Sequence, residues 1–343
     1  MRRRLRWPPL SLLILTLALS APASAAPPLH RVAGSVVVSA LASAPKESYL
    51  AHVRNGDIGG VILTQHWSSS AAMLAVTRQV KAAACAGGAP LLVAVDQEGG
   101  AIRRLPWAEP AASARELGGT STAHIATEGR ATAAALRRAG VDIDLAPVTD
   151  TQLSPRSFLG DRTFSSDPTV VARAAAAFVS GVQSGHVAAT AKHFPGLGAA
   201  TENTDDHAVS IRRVRLQPFR SAIGAGVQLV MVSNATYPLL DPSGLPAVFS
   251  AKIVTGLLRG QLGFDGVVVT DALDAPTPAA TPHAPARAIA AGVDLLLYTS
   301  ATAARAGYLS LLADAQASPK LRQQLTAAAA RVEKLKQWLG SRC

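Results

Sequence analysis

Residues 91–100 read LLVAVDQEGG, in which five apolar residues are followed at once by Asp96, Gln97 and Glu98. An uninterrupted apolar run, rather than an alternating one, is typical of a strand that is buried on both faces, as in a parallel sheet. The polar residues that follow would then lie at the carboxyl end of that strand. This segment therefore predicts an α/β fold with its chemistry at one edge of the sheet.

The same pattern recurs along the chain, and Ala-rich helical stretches such as residues 123–139 and 169–185 separate the apolar runs. Eight strands that alternate with helices over about 300 residues are what a (β/α)8 TIM barrel requires. A doubly wound sheet, the competing architecture, would show a glycine-rich phosphate turn after its first strand. Residues 36–43 contain no such turn, so we predict the barrel. The eight runs are residues 34–39, 60–64, 91–95, 142–145, 187–191, 229–233, 267–270 and 294–298.

The end of the chain predicts one further helix. Ser318 and Pro319 fit the N-cap and the first helical position, and Gly340 fits the end. We expect this helix to pack outside the barrel, and no second domain is visible in the sequence. Its apolar stripe consists of Leu321, Leu325, Val332, Leu335 and Leu339.

The first 25 residues have the layout of a secretory signal peptide. Four arginines precede an apolar run at residues 10–19, and residues 23–25 (ASA) supply a small-residue cleavage site. The apolar run is shorter than the roughly 20 residues that cross a bilayer, and no cysteine follows it as a lipid anchor would need. We therefore predict a signal peptide at 1–25 and a mature barrel domain at 26–343, secreted or held in the periplasm or cell envelope without a membrane span.

The composition excludes several classes of protein. Of 343 residues, 49% are apolar and 16% are charged, which excludes a disordered chain. The leader holds four of the 33 basic residues and none of the 22 acidic ones, so the mature chain keeps a net charge of about +7. That charge suits an anionic envelope polymer, although a basic composition alone would also produce it. No Lys/Arg-rich run with interleaved aromatic residues supports nucleic-acid binding, and we expect a monomer.

The two cysteines, Cys85 and Cys343, could pair in an oxidising compartment, but their positions alone do not specify a bond. A free, buried Cys85 is the expectation from the sequence.

Polar residues follow several of the predicted strands, at the rim where the active sites of such barrels lie. Each has a simpler explanation: Asp96 and Asp271 could be caps at a strand or helix end, and Lys192 could begin a solvated loop. Together they predict a cleft in which charge develops during a reaction. They are Asp96, Asp150, Lys192, His193, Asn234 and Asp271.

Six segments between residues 32 and 340 resemble glycoside hydrolase family 3, in particular its single-barrel β-N-acetylglucosaminidases. Their order and spacing match the family together. The segments are LLVAVDQEGGAIRR (91–104), APVTD (146–150), GDRTFSSDP (160–168), AKHFPGLG (191–198), GFDGVVVTDAL (263–273) and AGVDL (291–295).

The resemblance implies a retaining exo-glycosidase that acts on a GlcNAc-containing oligosaccharide from the cell wall or chitin. In that family the aspartate after the seventh strand, here Asp271, attacks the anomeric carbon and forms a covalent intermediate. No cofactor is implied, and no cluster of histidine and aspartate has the spacing of metal ligands. The positions that recognise sugar hydroxyls correspond to Asp96, Arg104, Arg162, Lys192 and His193.

The acid/base catalyst is where the sequence departs from the family. The family carries an Asp-x-His pair on the loop after the fifth strand, and residues 198–207 here read GAATENTDDH. A strict count from His193 puts Asn203 and Asp205 at those positions, whereas a shift of two residues gives Asp205 and His207. An imidazole titrates near neutral pH, so we predict His207 as the acid/base, oriented by Asp205. Asp205 acting alone, with a raised pKa, and an impaired site are the alternatives.

Other departures are milder. Leu197 replaces a polar residue that is common in the family, Ala101 replaces a frequent arginine, and residues 274–285 replace the start of a helix with a lid or, as we expect, a surface insertion. A β-glucosidase-type or phosphorolytic enzyme, or a non-catalytic sugar-binding relative with an impaired loop, remain alternative functions.

Overall fold

A computed structural model describes residues 27–343, so the predicted signal peptide at 1–25 lies outside the described residues. Eight parallel strands pair in the order β8-β1-β2-β3-β4-β5-β6-β7, and a bridge between Val269 and Leu295 joins β7 to the start of β8 and completes the ring. The predicted (β/α)8 TIM barrel is confirmed. The strands are β1 Val37–Leu41, β2 Gly60–Leu63, β3 Leu92–Val95, β4 Ile143–Asp144, β5 Ala188–Phe194, β6 Leu229–Val232, β7 Val267–Thr270 and β8 Leu296–Leu297.

Helices surround the ring. The predicted helical stretches correspond to α5 and α6, and each begins at a polar N-cap: Ser121 accepts a hydrogen bond from the backbone N–H of His124, and Asp167 from that of Thr169. A π-helix spans Lys252–Gln261. The α-helices are α1 Leu29–Ser35, α2 Glu47–Asn55, α3 Ser70–Ala86, α4 Ala114–Gly118, α5 Thr122–Arg138, α6 Pro168–Ser184, α7 Gln217–Gly224, α8 Pro276–Ala279, α9 Ala284–Ala291, α10 Ala301–Ala317 and α11 Pro319–Trp338.

The first strand begins later than predicted, at Val37 rather than at Gly34. Gly34 and Ser35 instead end α1. A side chain at Gly34 would have its Cβ 1.8 Å from the carbonyl oxygen of Gly56, so only glycine lets α1 pack against the turn after α2. The apolar run predicted at residues 34–39 therefore begins in the last turn of α1, and only its later part forms β1.

The C-terminal helix lies outside the barrel wall and starts as predicted, because the Ser318 hydroxyl accepts a hydrogen bond from the backbone N–H of Leu321. Val332 and Leu335 pack into the same apolar cluster as the side chains inside the barrel. Arg331 pairs with Asp294, just before β8, at 2.7 Å. Helix α11 therefore closes the end of the barrel where the strands begin.

The expectation of a free Cys85 is wrong, because Cys85 on α3 forms a disulfide with Cys343. The bond ties the chain that follows α11, at Cys343, to α3 at the closed end of the barrel. Within residues 27–343, no helix combines the length and apolar character that crossing a membrane requires.

Candidate active site

A cavity of about 250 Å³ opens where the strands end. It lies opposite α11, at the end of the barrel where the sequence predicts the active site. Asp271 and the five residues predicted to bind the sugar, Asp96, Arg104, Arg162, Lys192 and His193, all line it. The remaining wall is partly apolar, with side chains that include Ile102, Phe158, Leu197 and Met231.

Four charged side chains form a paired cluster in the wall. Lys192 Nζ lies 2.7 Å from Asp96 Oδ1 and 2.7 Å from Glu98 Oε1. Arg162 binds Glu98 with two parallel hydrogen bonds of 2.8 and 2.9 Å. Both Lys192 and Glu98 are almost completely buried, and two cations face two carboxylates, so the cluster is neutral overall.

The pKa values in this cluster follow from the pairing. Burial alone would raise the pKa of Glu98, but the charges of Lys192 and Arg162 outweigh it and lower the pKa to about 2. Burial alone would lower the pKa of Lys192, but Asp96 and Glu98 outweigh it and raise the pKa. Glu98 and Lys192 are therefore both charged at neutral pH. Glu98 was not among the predicted site residues, although its place two residues after Asp96 is the signal that identifies it.

Gln97 positions the two carboxylates that flank it. Its buried side-chain amide donates to the carbonyls of Leu105, Ala108 and Glu109, each at 3.2 Å, and its Oε1 accepts from the N–H of Leu105 at 3.0 Å. These bonds hold the hairpin of Gln97–Gly99 and Ile102–Arg103, with the chain that follows it, over the end of β3. Gln97 was not among the predicted site residues, although its place between Asp96 and Glu98 in the polar segment after β3 is the sequence signal that could have identified it.

Asp150, after β4, holds His193 in place. Its Oδ2 lies 2.8 Å from Nδ1 of His193 and accepts the backbone N–H of the same residue at 3.0 Å, while Oδ1 accepts the N–H of Leu197 at 2.5 Å. A proton on Nδ1 satisfies this bond and leaves Nε2 free to accept from a ligand. Leu197 therefore donates its backbone N–H to Asp150 and also lines the cavity.

Asp271 follows β7 and is fixed through its backbone. Its N–H donates to the carbonyl of Val232 at 2.9 Å, and its Oδ1 accepts the N–H of Ala272 at 2.9 Å. The side-chain amide of Asn234, at the end of β6, donates to the carbonyl of Ala272 at 2.8 Å. Within residues 27–343, Oδ2 of Asp271 has no hydrogen-bond donor, so this oxygen is available to a ligand.

The loop after β5 brings Asp205 to the cavity, together with Asn203 and Thr204. His207 is exposed and does not line the cavity, so the structure does not bring together the pair predicted from the shifted spacing. Its role as acid/base stays a prediction. The residues that the strict count from His193 selects, Asn203 and Asp205, are the ones that line the cavity.

Asp205 is exposed to solvent, as His207 is, yet its position against the cavity raises its pKa to about 6. Partial burial is the largest cause, and the negative charge of Asp271 is the next. A carboxyl with this pKa can give and take a proton near neutral pH.

Residues 274–285 do not line the cavity. His283 pairs with Asp314 on α10 at 2.9 Å, and Asp274 accepts the N–H of Thr299 at 2.8 Å. These contacts favour the surface insertion over the lid. Among residues 27–343, no group of three or more histidine, cysteine, aspartate or glutamate side chains is arranged to hold a metal ion.

Comparisons with known proteins agree with this geometry. An uncharacterized secreted glycosyl hydrolase of Arthroderma benhamiae is 36% identical over 299 residues, 82% of this chain and 84% of its own. A β-hexosaminidase of Nitrosomonas eutropha is 34% identical over 259 residues, 70% of this chain and 73% of its own. The crystal structure of the β-N-acetylhexosaminidase of Beutenbergia cavernae superposes with a TM-score of 0.84 at 35% identity, covering 91% of this chain and 99% of that one.

The family described as "Glycosyl hydrolase family 3 N terminal domain" matches residues 30–335, nearly the whole of the described barrel. The chain belongs to glycoside hydrolase family 3 and is a glycoside hydrolase.

Proposed function

We propose that this protein is a secreted, retaining exo-β-N-acetylglucosaminidase that releases terminal GlcNAc from peptidoglycan fragments or chito-oligosaccharides. The observation that carries the proposal is the presence of two carboxylates, Asp271 and Asp205, on the wall of one small cavity whose other polar groups suit sugar hydroxyls. Relatives with the name β-hexosaminidase or β-N-acetylhexosaminidase at 34–35% identity support the choice of GlcNAc.

The cavity suits an enzyme that removes one sugar at a time. It is closed below by the barrel interior and holds about the volume of a single substituted sugar ring. Asp96, Lys192 and Arg162 offer charged hydrogen-bonding groups to the ring hydroxyls, and a bond that a hydroxyl donates to the Asp96 carboxylate strengthens as positive charge develops on the sugar. The carbohydrate would therefore be held before the reaction and more tightly in its transition state.

Asp271 acts as the nucleophile in this proposal. Its free Oδ2 attacks C1 of the sugar as the bond from C1 to the leaving oxygen breaks, and Asp205 donates its proton to that oxygen. In the second step Asp205 takes a proton from water, the water oxygen bonds to C1, and the ester bond to Asp271 breaks. The two inversions retain the configuration at C1.

The raised pKa of Asp205 fits both steps. While Asp271 is negative, its charge helps to keep Asp205 protonated, as an acid must be. When Asp271 becomes an ester it loses that charge, so the pKa of Asp205 falls and its carboxylate can act as a base. His207, two residues further along the same loop, would need a loop movement to take this role.

The disulfide between Cys85 and Cys343 supports a location outside the cytoplasm, since such bonds persist in oxidising compartments. It agrees with the signal peptide proposed for residues 1–25 and cleavage after Ala25.

The test is hydrolysis of 4-methylumbelliferyl β-GlcNAc by the wild type and by Asp271→Ala, with the matching β-glucoside as the competing substrate. We expect turnover of the GlcNAc substrate, none by the variant, and retention of configuration by NMR. Preference for the glucoside would indicate a β-glucosidase, and sugar 1-phosphate formed in phosphate buffer would indicate a phosphorylase. Calorimetric binding of GlcNAc oligomers without turnover would indicate a non-catalytic relative.

A further inference from the structure

A second cavity, of about 460 Å³, lies at the closed end of the barrel and is larger than the active-site cavity. Among residues 27–343 the two cavities share no lining residue, so the proposed reaction does not use this one. Its volume falls within the roughly 300–1,000 Å³ of pockets that hold small molecules. Helix α11 forms one side, and residues of α1, α2 and α3 contribute to the rest. The apolar side chains of the lining include Val32, Val53, Ile58, Leu91 and Val332.

Lys336 is the unusual member of this lining, because it is only 4% exposed. It lies on the same face of α11 as Ala329 and Val332, where an apolar side chain would be expected. Within residues 27–343, its ammonium group forms no ion pair with a carboxylate and donates no hydrogen bond. A buried ammonium group without a partner costs free energy, and an anion bound beside it would remove that cost.

The other charged groups at the cavity leave the charge of Lys336 without a direct partner. Burial lowers the pKa of Lys336, and the negative charge of Glu333, an exposed residue one turn earlier on α11, opposes that effect. Arg31 is a second cation in the lining, and its guanidinium donates to the carbonyl of Gly87 at 2.6 Å. Two cations and one carboxylate therefore line the cavity, and this balance favours an anionic ligand.

The chain that precedes Pro27 is the nearest alternative occupant, because Pro27 itself lines the cavity. Residues 1–26 contain four arginines and no acidic residue, so no side chain among them can neutralise Lys336. Cleavage after Ala25, as proposed above, would also remove nearly all of that segment. A separate molecule with an apolar body and one anionic group matches both the apolar lining and the unpaired cation.

We propose that this cavity is a binding site for a free alkyl carboxylate, such as a medium-chain fatty acid, whose carboxylate pairs with Lys336. The alkyl chain would lie against the apolar side chains and remove them from water. A carboxylate suits the position because it accepts charge-assisted hydrogen bonds from an ammonium group. The site lies at the opposite end of the barrel from Asp271, so binding is independent of the proposed hydrolysis.

Isothermal titration calorimetry of the full chain with octanoate and with octanamide, its neutral counterpart, tests the anionic group. We expect octanoate to bind about 10-fold to 100-fold more tightly, because a hydrogen bond between charged groups is stronger than one to a neutral amide. A series from butanoate to dodecanoate tests the apolar part. Affinity should rise about fourfold for each added methylene and level off once the chain fills the cavity.

Lys336→Met removes the charge and keeps an apolar side chain, and Lys334→Met, at an exposed position on the same helix, is the matched control. We expect Lys336→Met to lose the preference for octanoate over octanamide, and Lys334→Met to keep it. Both variants should hydrolyse 4-methylumbelliferyl β-GlcNAc as the wild type does. In the wild type and in Lys334→Met, octanoate should raise the melting temperature more than octanamide does at the same concentration.

Two outcomes with the wild type alone would overturn the proposal: no binding of octanoate, or equal binding of octanoate and octanamide. Lys336 would then serve only as part of the apolar lining. A preference that persists in Lys336→Met, or that is lost equally in Lys334→Met, would also refute the pairing of the carboxylate with Lys336. These binding measurements need no turnover, so they test the site even if the wild type hydrolyses no β-GlcNAc substrate.

Discussion

Replacing Asp205 with asparagine keeps the size of the side chain and removes its proton. With a pKa of about 6, Asp205 is protonated in about half of the molecules at pH 6 and in about a tenth at pH 7. A carboxyl with its usual pKa of 3.8 would be protonated in only about 0.6% of molecules at pH 6. The environment of the cavity therefore supplies about 80 times more of the acid form at that pH. We expect kcat/KM of the wild type to fall about tenfold per pH unit above pH 6.

The assay compares two leaving groups. Cleavage of N,N′-diacetylchitobiose needs a proton on the leaving oxygen, and we expect Asp205→Asn to lower its kcat/KM by about 10²-fold to 10⁴-fold. Dinitrophenolate leaves without protonation, so kcat/KM for 2,4-dinitrophenyl β-GlcNAc should change less than about tenfold. Azide should restore turnover of the activated substrate and give β-GlcNAc azide as the product.

Two neighbouring variants serve as controls. Asp206→Asn removes a carboxyl that does not line the cavity, and we expect it to leave the pH profile unchanged. His207→Gln should do the same. The reasoning is refuted if Asp205→Asn cleaves chitobiose at the wild-type rate, or if His207→Gln alone loses the activity and the basic limb of the profile.

Three further expectations concern stability. Cys85→Ser should lower the melting temperature measured by differential scanning calorimetry, because it opens a loop of 258 residues whose closure is worth about 2–5 kcal/mol. The double variant Cys85→Ser/Cys343→Ser should melt at the same temperature as Cys85→Ser. A wild type that melts at the same temperature with and without reductant would contradict this expectation. The lowered pKa of Glu98 should contribute about 3 kcal/mol above pH 4.5 that is lost as the pH falls toward 2, so urea unfolding of Glu98→Gln should lack this dependence. Asp144→Asn should not lower the free energy of unfolding at pH 7, because burial raises the pKa of Asp144 well above its usual value and favours the neutral form. Asp150→Asn, in contrast, places an NH2 group among the N–H donors of His193 and Leu197, so this variant should unfold at a lower urea concentration than the wild type.

The barrel could be predicted from the sequence because strands that are buried on both faces appear as uninterrupted apolar runs. The runs predicted at 60–64, 91–95, 229–233 and 267–270 correspond to β2, β3, β6 and β7 with differences of at most one residue at either end. The same logic located Asp96, Lys192, His193 and Asp271, because the side chains that follow parallel strands must meet at one rim. The start of β1 was misplaced because the close packing of Gly34 depends on Gly56, a contact that no local pattern records.

The position of the acid/base loop could not be predicted in the same way. A loop has no periodicity, so the choice between Asp205 and His207 cannot be made from spacing alone. In the structure its position depends on backbone bonds to distant residues: the N–H of Leu153 donates to Gly198 at 2.9 Å, and that of Phe158 to Ala200 at 3.1 Å. The disulfide is a similar case, since its two cysteines meet only after the whole barrel has closed.

The neutral cluster in the cavity wall, formed by Asp96, Glu98, Arg162 and Lys192, also bears on the proton of Asp205. Arg162 and His193 each act to lower the pKa of Asp205, against the effects of burial and Asp271. Glu98 pairs with Arg162 and Lys192, so it limits the positive potential that reaches the loop. Glu98→Gln leaves that cluster with one uncompensated positive charge, which should lower the pKa of Asp205. The basic limb of its kcat/KM profile should therefore move to lower pH than in the wild type, and a limb that stays in place would show that the charge of Glu98 has no effect on the acidity of Asp205.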